Sequence, residues 1–177
     1  MNEYFLPGDI WAYPTDTSFG LGVRADDRFG MEKLYHLKKR SGEKFFSLMV
    51  RDESMLHQFA EVGDVTGINS WIAWFAEKPR TAIFKSTDLL PRSPYWPREG
   101  VAFRINQVPV LDSYLEYPIT ATSANISGEQ NIYSKDKLVQ CFEKEIEFLP
   151  TGIEVLPVVR PSEIWDFTNS DPKLIRA

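Results

Sequence analysis

The chain has 177 residues, of which 43% are hydrophobic and 25% charged, with a formal net charge of −5. That is enough chain for one hydrophobic core, so a single domain over residues 1–177 is expected. No run reaches the ~18 apolar residues of a membrane helix, and the acidic balance argues against a broad grip on nucleic acid while leaving room for a local basic groove.

In chain order, Asp9 to Tyr13 is a short apolar run that predicts a buried strand, closed by Pro14. The run Tyr13-Pro-Thr-Asp-Thr-Ser-Phe-Gly-Leu-Gly22 follows, rich in hydroxyls and close-approach glycines. Asp26 or Asp27 can cap a helix running to about Arg40. Met31, Leu34, Tyr35 and Lys38 then share one helical face. A lysine on that inner face must snorkel out or meet a negative partner.

Phe45 to Val50 predicts a strand, and Asp52–Val62 and Asp64–Glu77 predict helices, the second with Val65, Ile68, Ile72 and Phe75 inward. Strands are expected over Arg80–Lys85 and Val101–Asn106, with a proline-rich loop between them. Alternation in the second strand sends Val101, Phe103 and Ile105 to one face and Arg104 to the other. Pro109–Tyr117 predicts a short helix, and Ser134 is an N-cap for a helix through Glu145 with Leu138, Cys141 and Phe142 inward. Val155–Val159, Glu163–Phe167 and Leu174–Arg176 predict closing strands. Strands and helices over one core imply an α/β or α+β sheet with helices on its faces.

Two strand ends carry chemistry-bearing residues. The strand from Ile119 to Thr122 breaks into Thr122-Ser-Ala-Asn-Ile-Ser-Gly128, a polar cradle suited to an anion or nucleotide. The bland alternative is a turn whose side chains satisfy their own backbone. Lys38, Arg40 and Lys44 place three cations near one strand edge, suited to a polyphosphate. They also suit a solvated basic helix end. Arg104 either faces solvent or clamps a carboxylate. Cys141 reads as a buried structural thiol, and a lone cysteine fits a reducing cytoplasm. The two histidines, His36 and His57, read as surface helix residues; with one cysteine they make no zinc site of the usual kind. No Walker loop or Gly-x-Gly-x-x-Gly follows a strand. Residues 1–8 show no basic region before an apolar core, so no signal peptide is expected.

Taken in order, these segments resemble the YrdC family, also called the TsaC or threonylcarbamoyl-AMP synthase family. Its Tyr-Pro-Thr-(Asp/Glu)-Thr-x-(Tyr/Phe)-Gly-Leu-Gly run appears as Tyr13 to Gly22, and its Lys-x-Arg pair with a following Lys or His as Lys38, Arg40 and Lys44. Its Val-Arg strand appears as Phe103-Arg104, and its Thr-Ser-Ala-Asn-x-Ser-Gly as Thr122 to Gly128. Its Pro-Ser-Thr-Ile appears as Pro161-Ser-Glu-Ile164 and its closing arginine strand as Leu174-Ile-Arg176. The sequence departs from the family at Glu77-Lys-Pro79, Phe45, Gly100 and Asn106.

The resemblance implies a twisted, mixed but largely parallel sheet flanked by helices around a concave cleft. It implies a cytoplasmic nucleotidyltransferase that makes threonylcarbamoyl-AMP and pyrophosphate from L-threonine, bicarbonate and ATP with Mg2+, for the t6A modification of tRNA. Lys38, Arg40, Ser123, Asn125 and Arg176 would hold the nucleotide; Thr15, Lys44, Arg104 and Ser162 would hold threonine; Thr122 could serve either. Lys38, Arg40 and Arg104 would carry the catalysis. No metal-ligating residue is assigned. A downstream t6A transferase complex would take the product, and direct contact with tRNA or other RNA is left open. The alternative is a YrdC-like paralogue that binds nucleotide or RNA without synthesis.

Overall fold

The computed structural model describes residues 4–40, 44–65 and 67–177. Among them run strands β1 (Trp11–Pro14), β2 (Phe19–Gly22), β3 (Ser47–Val50), β4 (Arg80–Phe84), β5 (Val101–Ile105), β6 (Ile119–Ser123), β7 (Glu147–Phe148), β8 (Glu163–Asp166) and β9 (Lys173–Arg176). The helices are α1 (Arg28–Leu37), α2 (Glu53–Phe59), α3 (Trp71–Ala76) and α4 (Lys135–Phe142), with 3-10 turns at Pro109–Tyr114 and Glu143–Glu145.

The strands form one nine-stranded mixed sheet, ordered β7-β1-β2-β6-β3-β5-β4-β8-β9. The α/β class holds, but the expected largely parallel pairing does not. Only β1–β7, β3–β5 and β4–β8 are parallel; the other five neighbouring pairs are antiparallel. The reason is local at β1 and β2. The loop between Pro14 and Phe19 is too short for a crossover, so the chain must turn back on itself.

The two faces of the sheet are unequal. One carries the main core, where Leu48, Val50, Phe84, Val101, Phe103 and Ile105 meet side chains from all four α-helices. On α1 these are Met31 and Leu34, on α2 Leu56 and Phe59, on α3 Trp71 and Phe75, and on α4 Leu138 and Phe142. The period-two alternation sends Tyr13, Met49 and Ile119 to the other face. There they join a smaller cluster with Leu111, Leu115 and Leu149. The α-helices therefore cover one face only, and the second stays open where Arg104 emerges.

Several helix boundaries differ from the sequence expectation. In the predicted 64–77 helix the described residues before Ser70 are not helical, because α3 is capped from outside; Thr66 lies outside the described residues. Ser70 Oγ accepts from Ala73 N, and the Glu53 carboxylate accepts from Trp71 N at 3.0 Å and Ile72 N at 3.4 Å. Trp71 and Phe75 then face inward, while Ile72 is 48% exposed. Cys141 is exposed, not buried, since Leu138 and Phe142 already fill the inner stripe of α4. Val155–Val159 forms no strand; Pro157 lies inside it, and only Val155 makes an isolated bridge, to Ser134. The sequence reading also missed β2, where two glycines of four residues hide the strand pattern, and the two-residue β7.

Candidate anion-binding site

On the open face lies a cavity of about 390 Å³. Its floor is the sheet itself, with Tyr13 from β1, Met49 from β3, Arg104 from β5 and Ala121 from β6. Met49 and Arg104 are register partners in the parallel β3–β5 pair, so they stand side by side on this face. Arg40, Arg104 and Arg176 line the cavity, and none of its lining residues is acidic. A chain of net charge −5 has thus concentrated positive charge in one concave place.

The walls are held by hydrogen bonds that the local sequence dictates. Thr15 Oγ1 donates to Ser18 O at 2.7 Å and accepts from the amides of Thr17 and Ser18 at 3.2 Å, which folds 15–18 into a tight hydroxyl-bearing turn. Arg40 lies over the Phe46 ring, 4.4 Å from its centre. Its Nη1 donates to the carbonyls of Lys44 and Phe45, each at 3.0 Å, and its Nη2 to Thr122 Oγ1 at 2.6 Å. Its Nε is buried without a partner among the described residues, a donor in want of an acceptor. Burial pulls the Arg40 guanidinium below its ordinary pKa.

Ser162 Oγ meets Thr81 Oγ1 at 2.9 Å, and Ser162 O accepts from Arg176 Nη2 at 2.7 Å. Arg104 Nη2 donates to Asp16 Oδ1 in an ion pair whose side chains are 12% and 20% exposed. That contact spans 88 residues of sequence and fixes the guanidinium against the β1–β2 turn.

Of the residues singled out in the sequence, Thr15, Arg40, Arg104, Thr122, Ser123, Ser162 and Arg176 line this one cavity. Three do not. Lys38 is 2% exposed and Asn125 7% exposed; Asn125 belongs to the loop that begins at Ser123, and Lys38 sits behind that loop. Lys44 is exposed and donates to Ser127 Oγ at 3.0 Å, outside the lining. Among the described residues no group of three or more His, Cys, Asp or Glu could hold a metal ion.

Sequence reasoning missed the roles of Asp16 and Thr81. Asp16 lay inside a recognised run, but nothing local pairs it with Arg104. Thr81 could have been found by alternation, since Ala82 and Phe84 point into the main core and Thr81 therefore points to the open face.

The departures from the family pattern fall mostly outside the cavity. Glu77 to Pro79 leads from α3 into β4, and Arg80 Nη1 bonds Glu77 Oε2 at 2.8 Å across it. Asn106 is buried and ties down the turn after β5, donating to Val108 O and Asp112 Oδ1. Gly100 is not a lining residue; Phe45 is one.

Comparison with known proteins agrees with this fold. A family model named Sua5/YciO/YrdC, described as "Telomere recombination", matches residues 3–177. The chain is similar to a threonylcarbamoyl-AMP synthase of Buchnera aphidicola, 28% identical over 175 residues and covering 95% of this chain and 96% of that one. It is similar to another of Hydrogenovibrio crunogenus, 27% identical over 164 residues and covering 90% and 87%. The crystal structure of P. abyssi Sua5 complexed with L-threonine superposes with a TM-score of 0.78 at 25% identity, over 96% of this chain. The chain spans only half the length of that Sua5, 50%. Each segment that carried the sequence resemblance supplies a wall of the cavity, and the family model covers nearly every residue, so the chain belongs to the Sua5/YciO/YrdC family.

Proposed function

We propose that this chain is an L-threonylcarbamoyladenylate synthase, a nucleotidyltransferase that joins L-threonine, bicarbonate-derived CO2 and AMP from ATP. The observation that carries the reading is a cavity lined by three arginines, several hydroxyls and no carboxylate. Such a lining favours polyanions and a carboxylate together. The names of the Buchnera and Hydrogenovibrio relatives supply the reaction.

In this reading, threonine's amine nitrogen attacks the carbon of CO2 and loses a proton, giving a carbamate. A carbamate oxygen then attacks the α-phosphorus in line; the bond to the bridging oxygen breaks and pyrophosphate leaves. The protein aligns the reactants and balances phosphate charge, with no covalent nucleophile of its own. Arg40 and Arg176 take the triphosphate, with Ser123 and Thr122 beside them. Arg104 takes threonine's carboxylate with the donors that Asp16 leaves free, and Thr15 and Ser162 bound the amino acid. Mg2+ would enter with the triphosphate and offset phosphate charge, since the cavity lining offers it no carboxylate.

The product would serve t6A formation on tRNA in the cytoplasm through a downstream transferase complex. No helix of the described residues is long and apolar enough to cross a membrane. The test is pyrophosphate release from protein, ATP, Mg2+ and bicarbonate, with and without L-threonine. Threonine-dependent release supports the synthase. Nucleotide or RNA binding with no release at saturating threonine identifies a non-synthetic member of the family instead.

A further inference from the structure

Lys38 is the residue whose surroundings fit its expected role least. It follows the last turn of α1 and is 2% exposed, a burial that an ammonium tolerates only when fully hydrogen-bonded. Its Nζ donates to the carbonyl of Ser123, to the carbonyl of Asn125 at 2.6 Å and to Asn125 Oδ1 at 3.2 Å. Three N–H donors thus meet three oxygens, and none is left for a phosphate.

All three acceptors belong to one loop, which is cross-linked further. Lys38's own carbonyl accepts from Ser127 N at 2.9 Å. Ser123 Oγ donates to Asn125 Oδ1 at 2.6 Å, and Asn125 Nδ2 donates to Glu129 O at 2.6 Å. The amide of Asn125 is therefore fixed in one orientation, with two donors on its oxygen. Two backbone carbonyls converge on a single point, which the N–H groups of Lys38 occupy. Ser123, the residue at the front of this arrangement, lines the cavity; Lys38 and Asn125 do not.

We propose that Lys38 is a positioning residue that pins the Ser123–Ser127 loop to the end of α1 from behind and thereby sets Ser123 at the cavity wall without touching the nucleotide. Its consequence for turnover rests on the synthase reading; the pin itself is a property of the ligand-free protein.

The first experiment is acylation of the intact protein by an amine-reactive ester, read residue by residue with and without ATP. Lys38 should resist while exposed Lys39 and Lys44 react, and ATP should not change that. Labelling of Lys38 as fast as Lys44, with protection by ATP, makes it a phosphate ligand and overturns the proposal. The second is amide hydrogen exchange of ligand-free Lys38→Met. Amides of Ser123–Gly128 should exchange about ten-fold faster or more while those of β4 keep their rates. A folded variant with unchanged loop exchange overturns it. In the pyrophosphate assay, Ser123→Ala added to Lys38→Met should cost less than about two-fold further; full multiplication of the two losses refutes the coupling. Absence of threonine-dependent pyrophosphate in the wild type would sink the synthase reading and leave the labelling and exchange results standing on their own.

Discussion

Arg104 and Asp16 form an ion pair between the middle of β5 and the β1–β2 turn, on the open face of the sheet. The pair holds a guanidinium at the cavity without neutralising it completely, because one Nη donates to Asp16 and the rest of the fork remains. Arg104→Ala should lower kcat/KM for threonine by about 100-fold or more, the usual loss when a half-buried charge partner is removed. Asp16→Asn keeps an acceptor of similar size but removes its charge, so the threonine KM should rise by about 3- to 10-fold with ATP KM unchanged. Steady-state kinetics with each substrate varied in turn separates the two. Equal effects on ATP and threonine would show that Arg104 does not select the amino acid.

Arg176 reaches the cavity from β9, an edge strand whose four residues are all exposed. Little of the core depends on it, and Ser162 stays tied to Thr81 through its hydroxyl. Arg176→Ala should therefore shift unfolding by less than about 0.5–1 kcal/mol. The KM for ATP should rise about ten-fold or more, since a charge-assisted phosphate contact is lost. Urea unfolding and the ATP dependence of pyrophosphate release check the two halves. A large stability loss would make Arg176 a structural clasp on Ser162.

The sequence revealed most where one physical rule acted alone. Alternation in Val101–Ile105 was enough to place Arg104 opposite the core, and helical spacing from Met31 was enough to turn Lys38 inward. What completed those residues was illegible, because it came from far away. Lys38 meets carbonyl and amide oxygens more than eighty positions on, where either a snorkelling side chain or a negative partner was expected. Asp16 finds Arg104 across a similar gap. Strand direction was misjudged for the same reason, since a strand's own residues do not name its neighbour. Glycine-rich β2 escaped because Gly20 and Gly22 leave only Phe19 and Leu21 to mark it; those two side chains join the main core while β1 and β6 pair with its two edges.

That glycine content has a measurable cause at Gly22. A Cβ there would lie 2.4 Å from the backbone oxygen of Thr120 and 2.9 Å from the Tyr13 ring. Neither neighbour yields easily, since Tyr13 is fully buried and its hydroxyl donates to that same Thr120 oxygen at 2.8 Å. Gly22→Ala should destabilise the protein by about 1–3 kcal/mol through overpacking. It should also lower turnover, because β2 carries the 15–18 turn and pairs Gly20 with Ser123. Chemical denaturation checks the first effect. An alanine variant of wild-type stability would mean that β2 and β6 have room to separate.

Lys38 also predicts a pH dependence of stability. Burial, with Arg40's guanidinium next in weight, draws its pKa from 10.5 down to about 7, against three oxygens that favour the charged form. Between those two values the unfolded chain binds a proton that the folded protein has released. More protons bound in the unfolded state means that stability rises with pH across that window. Below it both states are charged and the contribution is flat. Tyr13 acts oppositely but later: burial raises its pKa, so the unfolded chain loses its phenol proton first and stability falls only above about pH 10. Urea unfolding of wild type and Lys38→Met at intervals from about pH 7 to pH 9 isolates the lysine. The difference in unfolding free energy, wild type minus variant, should grow steadily with pH. A difference that stays level would show that the three oxygens outweigh burial and keep the ammonium charged throughout.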